Sequence, residues 1–219
     1  TDEDGDGVDD YSYPYDIMCG TSMAAPVVSG IGALIIEQYR KIYNADPWPS
    51  TIKALLVQSA HDLLDDGTSW YNPGPDYASG YGLVDARGAV DLVRARAIRQ
   101  DTISVDDEID VFYVWVLTGT TQIKFTLAWD DPAATENASL ALVNDLDLYL
   151  VDPNGVGYNA WVLEPMTPTL AATTGWNNRD NLEQVIVTNP SGLTPGKWEV
   201  WVRGWNMQQG PQDYSLVSE

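Results

Sequence analysis

The chain has 219 residues, enough for one large or two modest domains, and 44% of them are hydrophobic. Its 32 acidic residues against 11 basic ones give a formal charge of −21, which argues against nucleic-acid binding, because that needs a basic face. A single cysteine excludes an internal disulfide, and no stretch is long and apolar enough to span a bilayer.

The chain opens on TDEDGDGVDDYS, with Asp2, Asp4 and Asp6 at alternate positions, Gly7 sixth from Asp2, the Val8 carbonyl seventh and Asp10 ninth. Alternate oxygens converge on one hard cation while a glycine permits the sharp turn. The spacing therefore predicts a calcium site at Asp2, Asp4, Asp6, Val8 and Asp10. The twelfth place holds Tyr13 instead of a bidentate glutamate, so the pattern is incomplete. The competing reading is an acidic, solvated loop.

The stretch MCGTSMAAPVVSG (18–30) sets one small hydroxyl among glycine, alanine and methionine. Val27, Val28, Ile31, Leu34 and Ile35 follow at helical spacing, which predicts a helix over 21–44 with Thr21 or Ser22 at its N-cap. Pro26 falls early enough to be tolerated. A serine at a helix N-terminus sits where unpaired amides and the helix dipole favour the oxyanion of acyl transfer. The plainer reading is that Ser22 only caps the helix and that the small residues only permit close packing. Cys19 reads as a small buried side chain.

A second helix is predicted over 49–64, burying Ile52, Leu55, Leu56, Ser59 and Leu63 on one face. It would carry His61, the only histidine, next to Asp62. Neighbours on a helix point apart, so the pair does not read as a catalytic dyad; His61 reads as a helix-end histidine favoured by the dipole. YNPGPDYASGYG (71–82) is a turn-rich connection, beside which Trp70 and Tyr71 read as surface packing, with substrate contact as the alternative. A third helix is expected over 84–97.

Beyond residue 98 the hydrophobic period changes to two. In 109–117 Ile109, Val111, Tyr113, Trp115 and Leu117 share a face; in 122–129 Ile123, Phe125, Leu127 and Trp129 do so. Leu146, Leu148 and Leu150 alternate in the next segment, and Trp198, Val200 and Val202 in 197–202. DPNG (152–155) reads as a turn, with Pro153 presetting φ and Gly155 free to take φ > 0. Short strands with such turns predict an antiparallel sandwich or jelly roll. Asp130 and Asp131 close one strand while Asn144, Asp145 and Asp147 open another. If those strands are neighbours, the carboxylates could gather around calcium; otherwise they are acidic strand ends that limit edge pairing. Nine tryptophans suggest either core filling or sugar stacking. Most strand tryptophans alternate as core residues do, Trp201 and Trp205 being exceptions.

GTSMAAP (20–26) strongly resembles the serine motif of subtilisin-like serine proteases. PSTIKALLVQSAHDL (49–63) and SGYGLVDARGAVDLV (79–93) follow in that family's order and style. LVNDLDLYLVDPNG (142–155), NNRDNLEQVIVTNP (177–190) and WNMQQGPQDYSLV (205–217) resemble the C-terminal β-sandwich of certain bacterial alkaline subtilases. The resemblance implies an α/β C-terminal portion of a subtilisin-like catalytic domain, mainly helices here, over 1–97. An all-β antiparallel sandwich or jelly roll would follow over 98–219. It implies a secreted serine endopeptidase with Ser22 as nucleophile and a polypeptide as substrate. In subtilisin the triad partners come before the serine, in the order Asp, His, Ser. With the serine at position 22 there is no room for them. The implied partner is then a missing N-terminal part of the catalytic domain, and the isolated chain is expected to be inactive. In the family, 49–64 is a packing helix. Sandwich domains of this type bind calcium there, which extends the cofactor expectation to Asp130, Asp131, Asp145 and Asp147. The alternative is a non-catalytic, calcium-dependent binding or adhesion module with a relic serine motif. A third reading, an α/β-hydrolase, needs Gly-x-Ser-x-Gly, but position 24 is Ala.

Overall fold

A computed structural model describes residues 5–6, 18–63 and 71–218. Among them the chain forms three helices, α1 (Thr21–Tyr43), α2 (Pro49–Ser59) and α3 (Ala86–Ala95), then nine strands. The strands are β1 (Ile98–Ile103), β2 (Ile109–Val116), β3 (Gln122–Trp129), β4 (Asn144–Val151), β5 (Gly157–Val162), β6 (Thr173–Gly175), β7 (Leu182–Thr188), β8 (Gly196–Met207) and β9 (Gln212–Ser218).

The helices begin and end for local reasons. Gly20 caps α1, not Thr21 or Ser22: its φ is 140°, and its carbonyl accepts the Met23 and Ala24 amides at 3.0 and 3.1 Å. Asn44, left-handed at φ 52°, closes the helix by donating to the Arg40 carbonyl. α2 stops at Ser59, short of the expected residue 64. Beyond it, His61 and Leu83 exchange backbone hydrogen bonds at 2.9 and 2.8 Å, which gives these groups partners a longer helix would have to supply. Gly82 permits that pairing. At φ +104° a Cβ there would lie 2.1 Å from the His61 carbonyl oxygen. Asp85 caps α3, its Oδ1 accepting the Gly88 amide at 2.9 Å.

The strands build a four-stranded sheet, β1-β9-β3-β7, and a five-stranded sheet, β2-β8-β4-β5-β6. Every strand pair among the described residues is antiparallel. This corrects the expected fold class. An α/β portion of a subtilisin-like catalytic domain, mainly helical, does not describe the chain, which is mostly β. An α/β sheet needs parallel strands joined by helical crossovers, whereas here all three helices precede the first strand and lie together as one layer. The antiparallel sheets stacked face to face do agree with the sandwich part of the expectation.

The core between the sheets contains Phe125, Leu127, Trp129, Leu146, Leu148, Leu150, Trp198, Val200 and Val202, which follow the expected alternation. In β2 the alternation faces the other way. Phe112, Val114 and Val116 turn to the core, and Trp115, read as core, is 74% exposed. Both sets of β2 are apolar, so periodicity could not choose between the faces. The DPNG turn forms as expected. Gly155 has φ +82° and donates to the Asp152 carbonyl, whose Oδ1 accepts the Asn154 and Val156 amides at 2.8 Å each.

The helices cover the outer face of the four-stranded sheet through Ile35, Leu55, Ala89 and Val93 against Ala128, Leu182 and Val217. A buried polar seam runs through this contact. Thr126 donates to Gln58 Oε1 at 2.7 Å, and Gln58 Nε2 donates to the Lys124 carbonyl at 2.9 Å. Gln184 Nε2 donates to Thr126 Oγ1 at 3.0 Å, and Thr51 and Ser215 share a hydroxyl pair at 2.7 Å. Each buried group has a partner, which is what makes its burial tolerable.

Candidate functional site

Ser22 lies in the first turn of α1 and is exposed. So is most of the helix's first half: among residues 21–30 only Met23 is partly covered. Of the expected stripe, Ile31 and Ile35 are buried, while Val27, Val28 and Leu34 are exposed, Val27 at 59%. Cys19 is exposed too, against the expectation of burial. The cause is one and the same: among the described residues, α2 and α3 pack only on the C-terminal half of α1 and leave the residues around Ser22 uncovered. Ser22 thus places its hydroxyl at a helix N-terminus, where first-turn amides and the helix dipole favour negative charge.

His61 is exposed and does not pair with Asp62. Its Nε2 lies 3.1 Å from Asp85 Oδ2, while Asp62 Oδ2 accepts the Gly74 amide at 2.7 Å. The Gly88 amide does most to hold the Asp85 carboxyl below its ordinary range, and the His61 ring adds to it. The sequence hid this partnership because it is formed by the His61–Leu83 pairing, which carries the chain from Leu83 into Asp85. The N-cap position of Asp85 ahead of an apolar periodic run was the legible half of the signal.

The acidic candidates divide. Asp2, Asp4, Val8 and Asp10, like Trp70, fall outside the described residues; Asp6 is exposed. Asp130 Oδ2 accepts the Ser50 amide at 3.1 Å, at the start of α2, where a negative charge is favoured. Asp131 accepts the Val143 and Asn144 amides, both at 2.8 Å. Asp145 and Asp147 face away from the sandwich core, each opposite to Leu146 and Leu148 in the strand alternation, yet both are buried. Burial, then the charges of Asp147 and Asp131, pushes the Asp145 carboxyl up to about 7. Burial pushes Asp147 up to about 6 against the pull of Arg203, its cross-strand partner. Among the described residues no three His, Cys, Asp or Glu side chains are grouped so as to hold a metal ion. Asp130 and Asp131 hold backbone amides, and the Arg203 charge acts on Asp147 from the neighbouring strand.

Glu183 escaped the sequence reading. It is fully buried between β7 and β4, with Oε2 accepting the Leu148 amide at 2.6 Å and Oε1 unpaired. Burial raises its carboxyl well above the ordinary value. Nothing local in LEQVIVT marks it, because its partner belongs to another strand.

Residues 5–82 match the model of the subtilase family, Peptidase_S8. The serine protease/ABC transporter B family protein tagA of Dictyostelium discoideum is 25% identical over 91% of this chain and 12% of its own length. Fervidolysin of Fervidobacterium pennivorans is 40% identical over 35% of this chain and 9% of its own. The extracellular basic protease of Dichelobacter nodosus is 39% identical over 36% and 12%. This chain thus spans about a tenth of the length of the curated relatives it matches. No helix among the described residues is long and apolar enough to cross a membrane. In the segment that holds Ser22, the chain's similarities are to a family of serine proteases, the subtilases.

Proposed function

We propose that this chain supplies the nucleophile of a secreted subtilisin-like serine endopeptidase, with polypeptides as substrates. Ser22 Oγ attacks the scissile carbonyl after giving its proton to a histidine, forming a tetrahedral intermediate that collapses to an acyl-enzyme as the amine leaves. Water then releases the acyl group. The Ser22 backbone amide contributes to the site that holds the oxyanion. The histidine and its orienting aspartate come from polypeptide outside this chain, so the 219-residue chain alone does not hydrolyse peptides. The observation that carries the reading is the bare first half of α1. A hydroxyl at an open helix N-terminus, flanked by uncovered Val27, Val28 and Leu34, suits a surface completed by further polypeptide. The extracellular setting is supported by the name of the Dichelobacter relative.

The test is fluorophosphonate labelling of the full-length protein, with the adduct mapped by mass spectrometry. Labelling at Ser22, lost in Ser22→Ala, is expected; an adduct on another serine overturns the assignment. Calcium at Asp2, Asp4, Asp6, Val8 and Asp10 belongs to the same reading as an ion that stiffens the approach to Ser22. Chelation should then slow labelling, and an unchanged rate removes the ion.

A further inference from the structure

The outer face of the five-stranded sheet holds a cavity of about 350 Å³, lined by Asp145, Asp147, Trp176, Asn178, Arg203 and Trp205. A β-bulge shapes it. Asp145 pairs with Asn206 and Leu146 with Gly204, so Trp205 is the extra residue on β8. Bulges re-aim side chains, and this one leaves the Trp205 indole 54% exposed beside the cavity. Trp176, 59% exposed, stands against Tyr149 with ring centres 5.7 Å apart, and Tyr149 in turn meets the edge of Trp201 at 6.3 Å. The Arg203 guanidinium lies 4.4 Å over the Trp205 ring and pairs with Asp107.

Two side chains that line this cavity each carry a buried polar atom with no hydrogen-bond partner among the described residues. One is an acceptor, Oδ1 of Asp145, a residue only 6% exposed; the other is a donor, Nε of Arg203. A buried polar group left without a partner is costly, so a ligand that draws on both side chains gains strongly. A simple cation would satisfy Asp145 but meet Arg203, and an anion would meet Asp145 and Asp147. A neutral ligand with hydroxyls that both donate and accept satisfies the pair. The exposed indoles add a second demand. Their negative faces favour polarised C–H bonds laid flat against them. A pyranose ring has both features, hydroxyls around its edge and C–H bonds on its faces.

We infer that the cavity between Trp176 and Trp205 binds a neutral oligosaccharide, one sugar ring stacking on the indoles while its hydroxyls hydrogen-bond the Asp145 carboxyl and the Arg203 guanidinium. The site is independent of Ser22 and gives the sandwich a targeting role of its own.

The test is calorimetric titration of the 219-residue chain with cellohexaose, chitohexaose and xylohexaose. At least one should bind. Trp176→Ala and Trp205→Ala should each weaken that binding roughly tenfold. Both indoles are exposed, so the melting temperature should hold. Trp115→Ala, on the edge strand β2, should leave the affinity unchanged. The inference is overturned if no hexaose binds at about 10 mM, a concentration that would reveal even millimolar affinity. It is also overturned if neither indole variant weakens binding, if Trp115→Ala weakens it as much, or if only calcium chloride gives heat.

Discussion

At the residue scale, carboxylates hold the loops of this protein in shape. Asp76 is the clearest case. Its Oδ1 accepts the Ala78 and Ser79 amides and the Ser79 hydroxyl at 2.7–2.9 Å, and its Oδ2 accepts the Asn72 amide at 2.9 Å. Burial opposes its charge, but the four donors outweigh that and keep its carboxyl below the ordinary range. Asp76→Ala strips all four at once from a residue with 2% exposure. The expected cost is about 2–3 kcal/mol, the scale of hydrogen bonds to a charged group. Urea unfolding measures it, and a loss near zero would mean that the 71–82 loop is not part of the cooperative unit. In the sequence this segment was legible only as turn-rich. Which aspartate would organise it was not, because the donors converge through the loop's own fold.

At the element scale, α1 is two helices in one. Its C-terminal half buries Ile31, Ile35 and Tyr39 against α2 and α3, while its N-terminal half buries nothing among the described residues. Ile35→Ala should therefore cost about 2–5 kcal/mol, as truncations at fully buried positions do. Val27→Ser should shift stability by no more than about 0.5 kcal/mol. Chemical denaturation of both variants checks this; a large loss from Val27→Ser would show that the first half is covered within the isolated chain. The helical pattern alone read Val27, Val28 and Leu34 as equal members of the stripe. Periodicity reports which residues share a face, and the reach of the neighbouring helices decides how much of that face is covered. The same limit explains β2, where two apolar sets competed and only the partner sheet chose between them.

At the scale of the whole molecule, three layers stack: helices, the four-stranded sheet, the five-stranded sheet. The arrangement buries carboxylates in an acidic protein of charge −21. Asp145 and Asp147 rise from 3.8 to about 7 and about 6, and Glu183 rises as well. Between pH 4 and 7 the folded chain therefore holds protons that the unfolded chain has released. By linkage, stability falls as pH rises through that window. The melting temperature should be higher at about pH 5 than at about pH 7.5 in a chelating buffer. Calorimetric scans at the two pH values decide it, and the opposite order would mean that these three groups are solvated and ionised in the fold. Below about pH 4 the benefit is complete, and the low-lying Asp76 and Asp85 begin to cost stability as they protonate.

What the sequence determined by itself was local: three helical segments, the strands and the DPNG turn, and a serine at the head of a helix. Each of these rests on spacing within one short stretch, where backbone periodicity and turn chemistry act without outside help. Only the tertiary structure decided which strands pair and that the helices lie as one layer on an antiparallel sheet instead of within an α/β one, that His61 answers to Asp85, and that Trp115 faces outward. It also decided that Asp145 and Arg203 open onto one cavity between two indoles. These outcomes depend on which distant segments meet, and a side chain's burial, charge and partners are set by the neighbours that long-range packing brings to it.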